Sequence, residues 1–190
     1  MKNIIYNIII SWISFFKIKK LSFKKKEIIF YLENNSDWLY LKFFYSSLIK
    51  SSKNILIVSS DTGYNFNDCK VDYFIGRGSA RTLFFRLISS KLFITTMTDL
   101  DNFYLKKSFN TETYVYIFHS LVSTNRVYRE GAFDNYEILL CPTEYHFNEI
   151  RKTEEVYGLK KKKLIKYGYP RINEIVNMKN QTSINFNKIP

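Results

Sequence analysis

This sequence is poor in the residues that carry cross-links, metals and tight turns. Among 190 residues it has two cysteines, Cys69 and Cys141, two histidines, His119 and His146, three prolines and six glycines. The cysteines form no CxxC pair and share no zinc spacing with either histidine, which excludes a disulfide framework and a structural zinc site. Two free thiols in a reducing compartment are the simplest account. Cys141 ends an apolar run and reads as a small core residue. No cofactor and no metal are expected.

No apolar run is long enough to cross a bilayer. The first residues read MKNIIYNIIISWISFFKIKKLSFKKK. The apolar stretch 4–16 is interrupted by Asn7, Ser11 and Ser14, and it falls short of the roughly 20 residues a spanning helix needs. A signal peptide would carry its charge before the apolar run and a small-residue cleavage site after it. Here Lys17, Lys19, Lys20, Lys24, Lys25 and Lys26 follow instead. Residues 1–26 therefore read as a basic amphipathic helix lying in an interface, pinned to anionic lipid at the cytoplasmic face of a membrane. The alternative is a helix packed on its own domain or on a partner domain.

Acidic residues are also in deficit. There are 29 Lys and Arg against 17 Asp and Glu, a net charge of +12. Such a balance favours anionic partners. It also fits a coding sequence rich in A and T, which gives Lys, Asn, Ile, Phe and Tyr at the expense of Ala, Gly and Pro. No RNP, helix-turn-helix or zinc pattern accompanies the charge, so nucleic acid is not expected as a partner. Apolar residues make up 46% and aromatics 18%, which excludes a disordered chain. The length suits one domain with a real core.

From residue 27 the pattern is regular. Apolar runs of strand length, 28–32, 55–59, 71–75, 92–96, 114–118, 138–141 and 164–167, alternate with helix-period segments, 37–50, 80–89, 122–130, 145–157 and 172–178. In the first of these, Trp38, Leu41, Tyr45, Leu48 and Ile49 recur at helical spacing. Strands buried on both faces read as continuous apolar runs. Alternation with helices predicts an α/β domain over 27–178, a parallel sheet of six or seven strands with helices on both faces. Residues 179–190 lack periodicity and read as a linker, with the polar stretch beginning at Met178.

Ligands of open α/β sheets bind beyond the carboxyl ends of the strands. Those ends carry Glu33 and Asn34, then Ser60, Asp61 and Thr62, then Thr96, Thr98 and Asp99, then His119 and Ser120, then Gly168 and Tyr169. His119 directly follows a strand, so an imidazole is held where a substrate would sit. An imidazole there can take a proton from a hydroxyl; otherwise it caps a helix or satisfies a carbonyl. GRGSAR, residues 76–81, is a weak dinucleotide signal, since Arg81 replaces the third glycine. Gly76, Gly78 and Ser79 still form a candidate anion cradle before a helix, or an ordinary turn. The lysine run 160–163 reads as a solvated loop, and His146 as a surface or packing residue.

Several of these residues carry a resemblance. His119 after its strand, Tyr128, GAFD at 131–134, Glu149 and GYPR at 168–171 stand in an order and spacing that resembles the CDP-glycerol glycerophosphotransferases of teichoic acid and related polymer synthesis. Residues 92–108 look like the segment just upstream in that family. The resemblance covers roughly 27–178, and the chain has HS where many members have HG. It implies two Rossmann-like domains facing each other, the GT-B arrangement, with the donor held mostly by the second. This chain is then the N-terminal, acceptor-side half, with the second domain expected from near Ile189 and little activity from this half alone. His119 matches the proposed base. Ser120, Arg126, Gly76, Gly78, Ser79, Thr96 and Gly168 are the substrate-binding candidates. The implied partners are a CDP-glycerol or related CDP-polyol donor and a polymer or lipid-linked acceptor. A non-catalytic, membrane-associated module that holds an anionic polymer or lipid-linked acceptor is the alternative.

Overall fold

The structure, a computed structural model, describes residues 2–51, 54–61 and 70–181. Met1, Thr62, Cys69 and residues 182–190, which include Ile189 and most of the expected linker, lie outside the described residues. Thirteen principal elements follow one another: α1 (Lys2–Lys20), β1 (Ile28–Leu32), α2 (Trp38–Leu48), β2 (Ile55–Ser59), β3 (Tyr73–Phe74), α3 (Ser79–Leu87), β4 (Ser90–Thr95), β5 (Thr111–Ile117), α4 (Thr124–Val127), β6 (Ile138–Cys141), α5 (Glu144–Val156), β7 (Lys163–Lys166) and α6 (Pro170–Gln181).

All seven strands are parallel, in the order β3-β2-β1-β4-β5-β6-β7. This is a Rossmann-like α/β sheet. The continuous apolar runs are explained by burial on both faces: every residue of β1 is buried. On one face Tyr31, Phe84, Phe85, Phe93 and Tyr114 pack with Phe15 and Ile18 of α1, and with Ile150 of α5. On the other, Phe30, Ile57, Ile94 and Ile117 pack on Trp38 and Leu41 of α2. Helix α6 packs on α2.

Helix α1 joins the domain along one stripe. Ser11, Ser14, Phe15 and Ile18 recur at helical spacing and are buried. Burying a side chain such as Phe15 or Ile18 contributes about 1.5–3 kcal/mol. The contact with α3 and β3 is close. A Cβ on Gly76 would lie 2.6 Å from Ser11 Oγ, and Gly76 has φ +62. The opposite stripe, with Ile5, Ile9, Ile13 and Phe16, is exposed. Lys26 turns inward, its Nζ donating to the Ile18 carbonyl at 3.4 Å. It therefore does not belong to the exposed basic cluster of Lys17, Lys19, Lys20, Lys24 and Lys25. Among the described residues no helix is long and apolar enough to cross a membrane.

Several elements differ from expectation: β5 already begins at Thr111, and of the lysine run expected in a solvated loop, Lys162 is buried and Lys163 opens β7. Strand β3 keeps only two residues because it is the sheet edge and pairs on one side. Helix α4 is a single turn rather than the span 122–130: at Tyr128 the backbone turns extended, φ −91 and ψ 152. Helix α6 runs on through Met178 to Gln181, into the residues expected to begin the linker.

Candidate active site at the carboxyl edge

The strand order reverses between β1 and β4, a topological switch point at which the connections leaving the two strands diverge. In sheets of this kind ligands bind there. The residues after β1 fold into a tight turn. Asp37 Oδ2 accepts from the main-chain amides of Glu33 at 2.8 Å and Asn34 at 2.9 Å, closing a capping box with Asn34. Thr96, just beyond β4, is buried. Asp37 is 7% exposed. Burial pushes its pKa above the usual carboxylate value. The bonds from Asn34, Thr96 and Glu33, and the nearby charge of His119, work against that rise.

His119 lies one strand further along, two residues past β5, and is half-buried. Its Nδ1 is buried and has no hydrogen-bond partner among the described residues. Tyr40, in the first turn of α2, meets the imidazole edge-on with ring centres 6.1 Å apart. Tyr169, beyond β7, stacks obliquely on Tyr40 and donates its hydroxyl to the His119 carbonyl at 2.9 Å. Burial pushes the Tyr169 phenol up to about 12, so it remains a donor at neutral pH.

The segment after His119 is held from two sides. Ser120 Oγ and the Tyr128 hydroxyl are 2.8 Å apart, and Tyr128 rests on Phe118 and Phe133. Gly131 has φ +76, which lets the chain turn so that Ala132 and Phe133 are buried. Glu149 of α5 accepts from Ser123 Oγ at 2.6 Å and from the amide and hydroxyl of Thr124 at 2.7 Å each. It thereby caps α4 from outside. Tyr128, residues 131–134, Glu149 and residues 168–171 were picked out by their order in the sequence. In space they converge on the segment that carries His119.

The remaining candidates are dispersed. Thr96 is buried beside Asp37, and Gly168 supplies a positive φ of +81 ahead of Tyr169. Arg126 is exposed on α4. Gly78 and Ser79 are exposed at the start of α3, whereas Gly76 is buried against α1. The ends of β3 and β5 are four strand spacings apart, roughly 19 Å at ~4.8 Å each, so residues 76–79 at one end of the sheet lie well away from His119. His146 is buried, packing on Phe118 with Nδ1 2.8 Å from Thr143 Oγ1. Cys141 is a buried free thiol raised to about 11 by burial. Among the described residues no three His, Cys, Asp or Glu side chains converge as metal ligands.

Asp37, Tyr40 and Arg81 were not foreseen as site residues, and Glu33 was noted only as a residue at a strand end. Arg81 is buried and donates to Glu33 at 3.0 Å and Tyr104 at 2.9 Å, while Arg77 reaches Asn34 Oδ1 at 2.5 Å. The one available signal was Asn34 three residues before Asp37, directly after an apolar strand, a capping-box spacing. Comparisons with protein-family models, with curated proteins and with solved structures find no match.

Proposed function

We propose that this chain is the acceptor-side, N-terminal half of a GT-B type CDP-glycerol glycerophosphotransferase, moving glycerol phosphate or a related polyol phosphate to a cell-surface polymer. One observation carries the reading: His119 stands at the carboxyl edge, its carbonyl bound by Tyr169 and the segment after it held by Tyr128 and Glu149, residues on which the resemblance rests. In the reaction the acceptor hydroxyl oxygen attacks the phosphorus next to the glycerol. The new P–O bond forms as the bond to CMP breaks, CMP leaves with the electron pair, and His119 Nε2 takes the hydroxyl proton. General-base help of this kind contributes about 100- to 10,000-fold. The donor belongs mainly to a second domain on this reading, so this half alone turns over little.

The exposed apolar stripe of α1, followed by exposed lysines, supports attachment to the anionic cytoplasmic leaflet. The same feature favours a second reading, a non-catalytic membrane module that holds an anionic or lipid-linked acceptor. The discriminating experiment supplies a donor-binding domain, in cis or as a separate chain, and follows labelled glycerol phosphate from CDP-glycerol into polymer. Transfer that depends on this chain supports the enzyme. Its absence with acceptor binding intact supports the module.

A further inference from the structure

We propose that the cavity between residues 128–134 and α5 is a carbohydrate-binding site, which takes an uncharged sugar ring through Lys162 and Asp134. The site stands whether or not His119 is a base.

The cavity measures about 380 Å³, within the roughly 300–1,000 Å³ of ligand pockets. Tyr128 lines it, and its hydroxyl stands 2.8 Å from Ser120 Oγ, so the cavity adjoins the segment that carries His119. Tyr157, just past α5, lines it as well. Its polar lining includes two buried ions: the side chains of Lys162 and Glu154 are 6% and 2% exposed. The Glu154 carboxylate is fully engaged. It accepts from Arg151 Nη1 at 2.5 Å and from the Lys162 amide at 2.8 Å. The Lys162 ammonium is not. Its Nζ stands 3.7 Å from Glu154 Oε1 and 3.7 Å from Asp134 Oδ1, near enough to offset charge and too far to hydrogen-bond.

An ammonium has three N–H donors, and among the described residues Lys162 Nζ gives none of them to an acceptor within hydrogen-bond distance. A buried charge that is paired but lacks hydrogen bonds keeps much of its desolvation cost. That cost falls when an oxygen in the cavity accepts from Nζ. Asp134 is in the complementary state: its half-exposed carboxylate accepts no hydrogen bond from the described residues. A ligand that satisfies both must accept at Lys162 and donate at Asp134.

A hydroxyl does both. A phosphate or carboxylate accepts only, and it sets its own charge against Asp134 and Glu154. The exposed cations that also line the cavity are engaged elsewhere, Arg129 over the ring of Phe103 and Lys152 with Glu155. Asn125, exposed on α4, lines the cavity too. Its Oδ1 accepts from Thr153 Oγ1 at 3.1 Å, which leaves the amide NH₂ as a donor. Hydroxyls for these three groups, and an apolar C–H face for the tyrosine rings, come together in a sugar ring.

The test is an amide NMR titration of the full chain with glucose, with maltose and, separately, with inorganic phosphate. The sugars should shift residues 124–134 and 150–157 saturably. Lys162→Met should weaken that binding by about 10- to 100-fold, the worth of a hydrogen bond to a charged group. Asn125→Ala, on an exposed position clear of the buried ions, should weaken it by about 2- to 10-fold, and it keeps the test open if the methionine variant does not fold. Three results would overturn the proposal: no saturable shift with either sugar, sugar shifts that survive these substitutions in folded protein, or saturation by phosphate alone. The readout needs no transfer activity, so it is separate from the fate of the glycerophosphotransferase reading.

Discussion

The hydroxyl of Tyr169 donates to the main-chain carbonyl of His119 at 2.9 Å. The bond ties the chain leaving β7 to the chain leaving β5 across the end of β6. It fixes the backbone, and so the origin of the imidazole, rather than the ring. Tyr169→Phe keeps the ring against Tyr40 and deletes the bond. It should cost about 1 kcal/mol of stability, measured by urea unfolding. In a completed enzyme it should lower kcat more than it raises KM, since a loosened base is missed mainly in the transition state.

Glu149 gives a pH signature. Burial alone would push its carboxyl up, but the bonds from Ser123, Thr124 and Tyr145 hold it below the usual glutamate value. A group depressed in the folded state stabilises above its unfolded pKa, and that contribution is lost as pH falls through the folded value. Glu149→Gln should therefore cost about 1 kcal/mol at neutral pH, the worth of a helix cap. The cost should shrink as the pH is lowered through the carboxylate range. Thermal unfolding of both proteins across that range checks it.

At Gly76 two constraints coincide. Its φ of +62 disfavours any side chain, and a Cβ would stand 2.6 Å from Ser11 Oγ. Gly76→Ala should destabilise the domain by about 1–2 kcal/mol from the left-handed backbone alone. Combining it with Ser11→Gly removes the clash but not the backbone term, so stability should recover only in part. Full recovery in denaturant unfolding would show that the close approach of α1 was the whole effect.

The strands were legible where the sheet buries both faces. Residues 28–32, 55–59 and 138–141 are continuous apolar runs, and they form β1, β2 and β6 with the expected bounds. Tyr73 and Phe74 pair on one side only, and there the run overstates the strand. The helical pattern after His119 also misled, because Glu149 and Ser120 hold residues 123–128 through contacts distant in sequence. Strand order was not legible, since the switch between β1 and β4 is a matter of long-range pairing. That is why His119, announced by its own strand, could be named as a candidate from the sequence, while the burial of Asp37 in the turn after β1 could not. Lys26 illustrates the same limit: in the sequence it belongs to a basic cluster, and in the fold it caps the Ile18 carbonyl.

The exposed stripe of α1 makes a separate prediction. Lys24→Glu with Lys25→Glu should weaken binding to anionic liposomes, each lysine contributing about 1 kcal/mol near such a surface. Ile5→Ser with Ile9→Ser should weaken it further at any salt concentration, because neither side chain is part of the core. Sedimentation with vesicles of phosphatidylglycerol and phosphatidylcholine is the assay. Unchanged partitioning in both variants would mean that the stripe meets protein instead.

The central claim is that His119 is the base. It is tested most directly by His119→Ala in the enzyme completed with a donor-binding domain, with glycerol phosphate transfer and calorimetric CDP-glycerol binding measured on the same preparation. A group that acts only in the transition state lowers turnover and leaves ground-state affinity alone. Transfer should fall by about 100- to 10,000-fold, with donor affinity close to that of the wild type. Wild-type transfer in the variant would contradict the account.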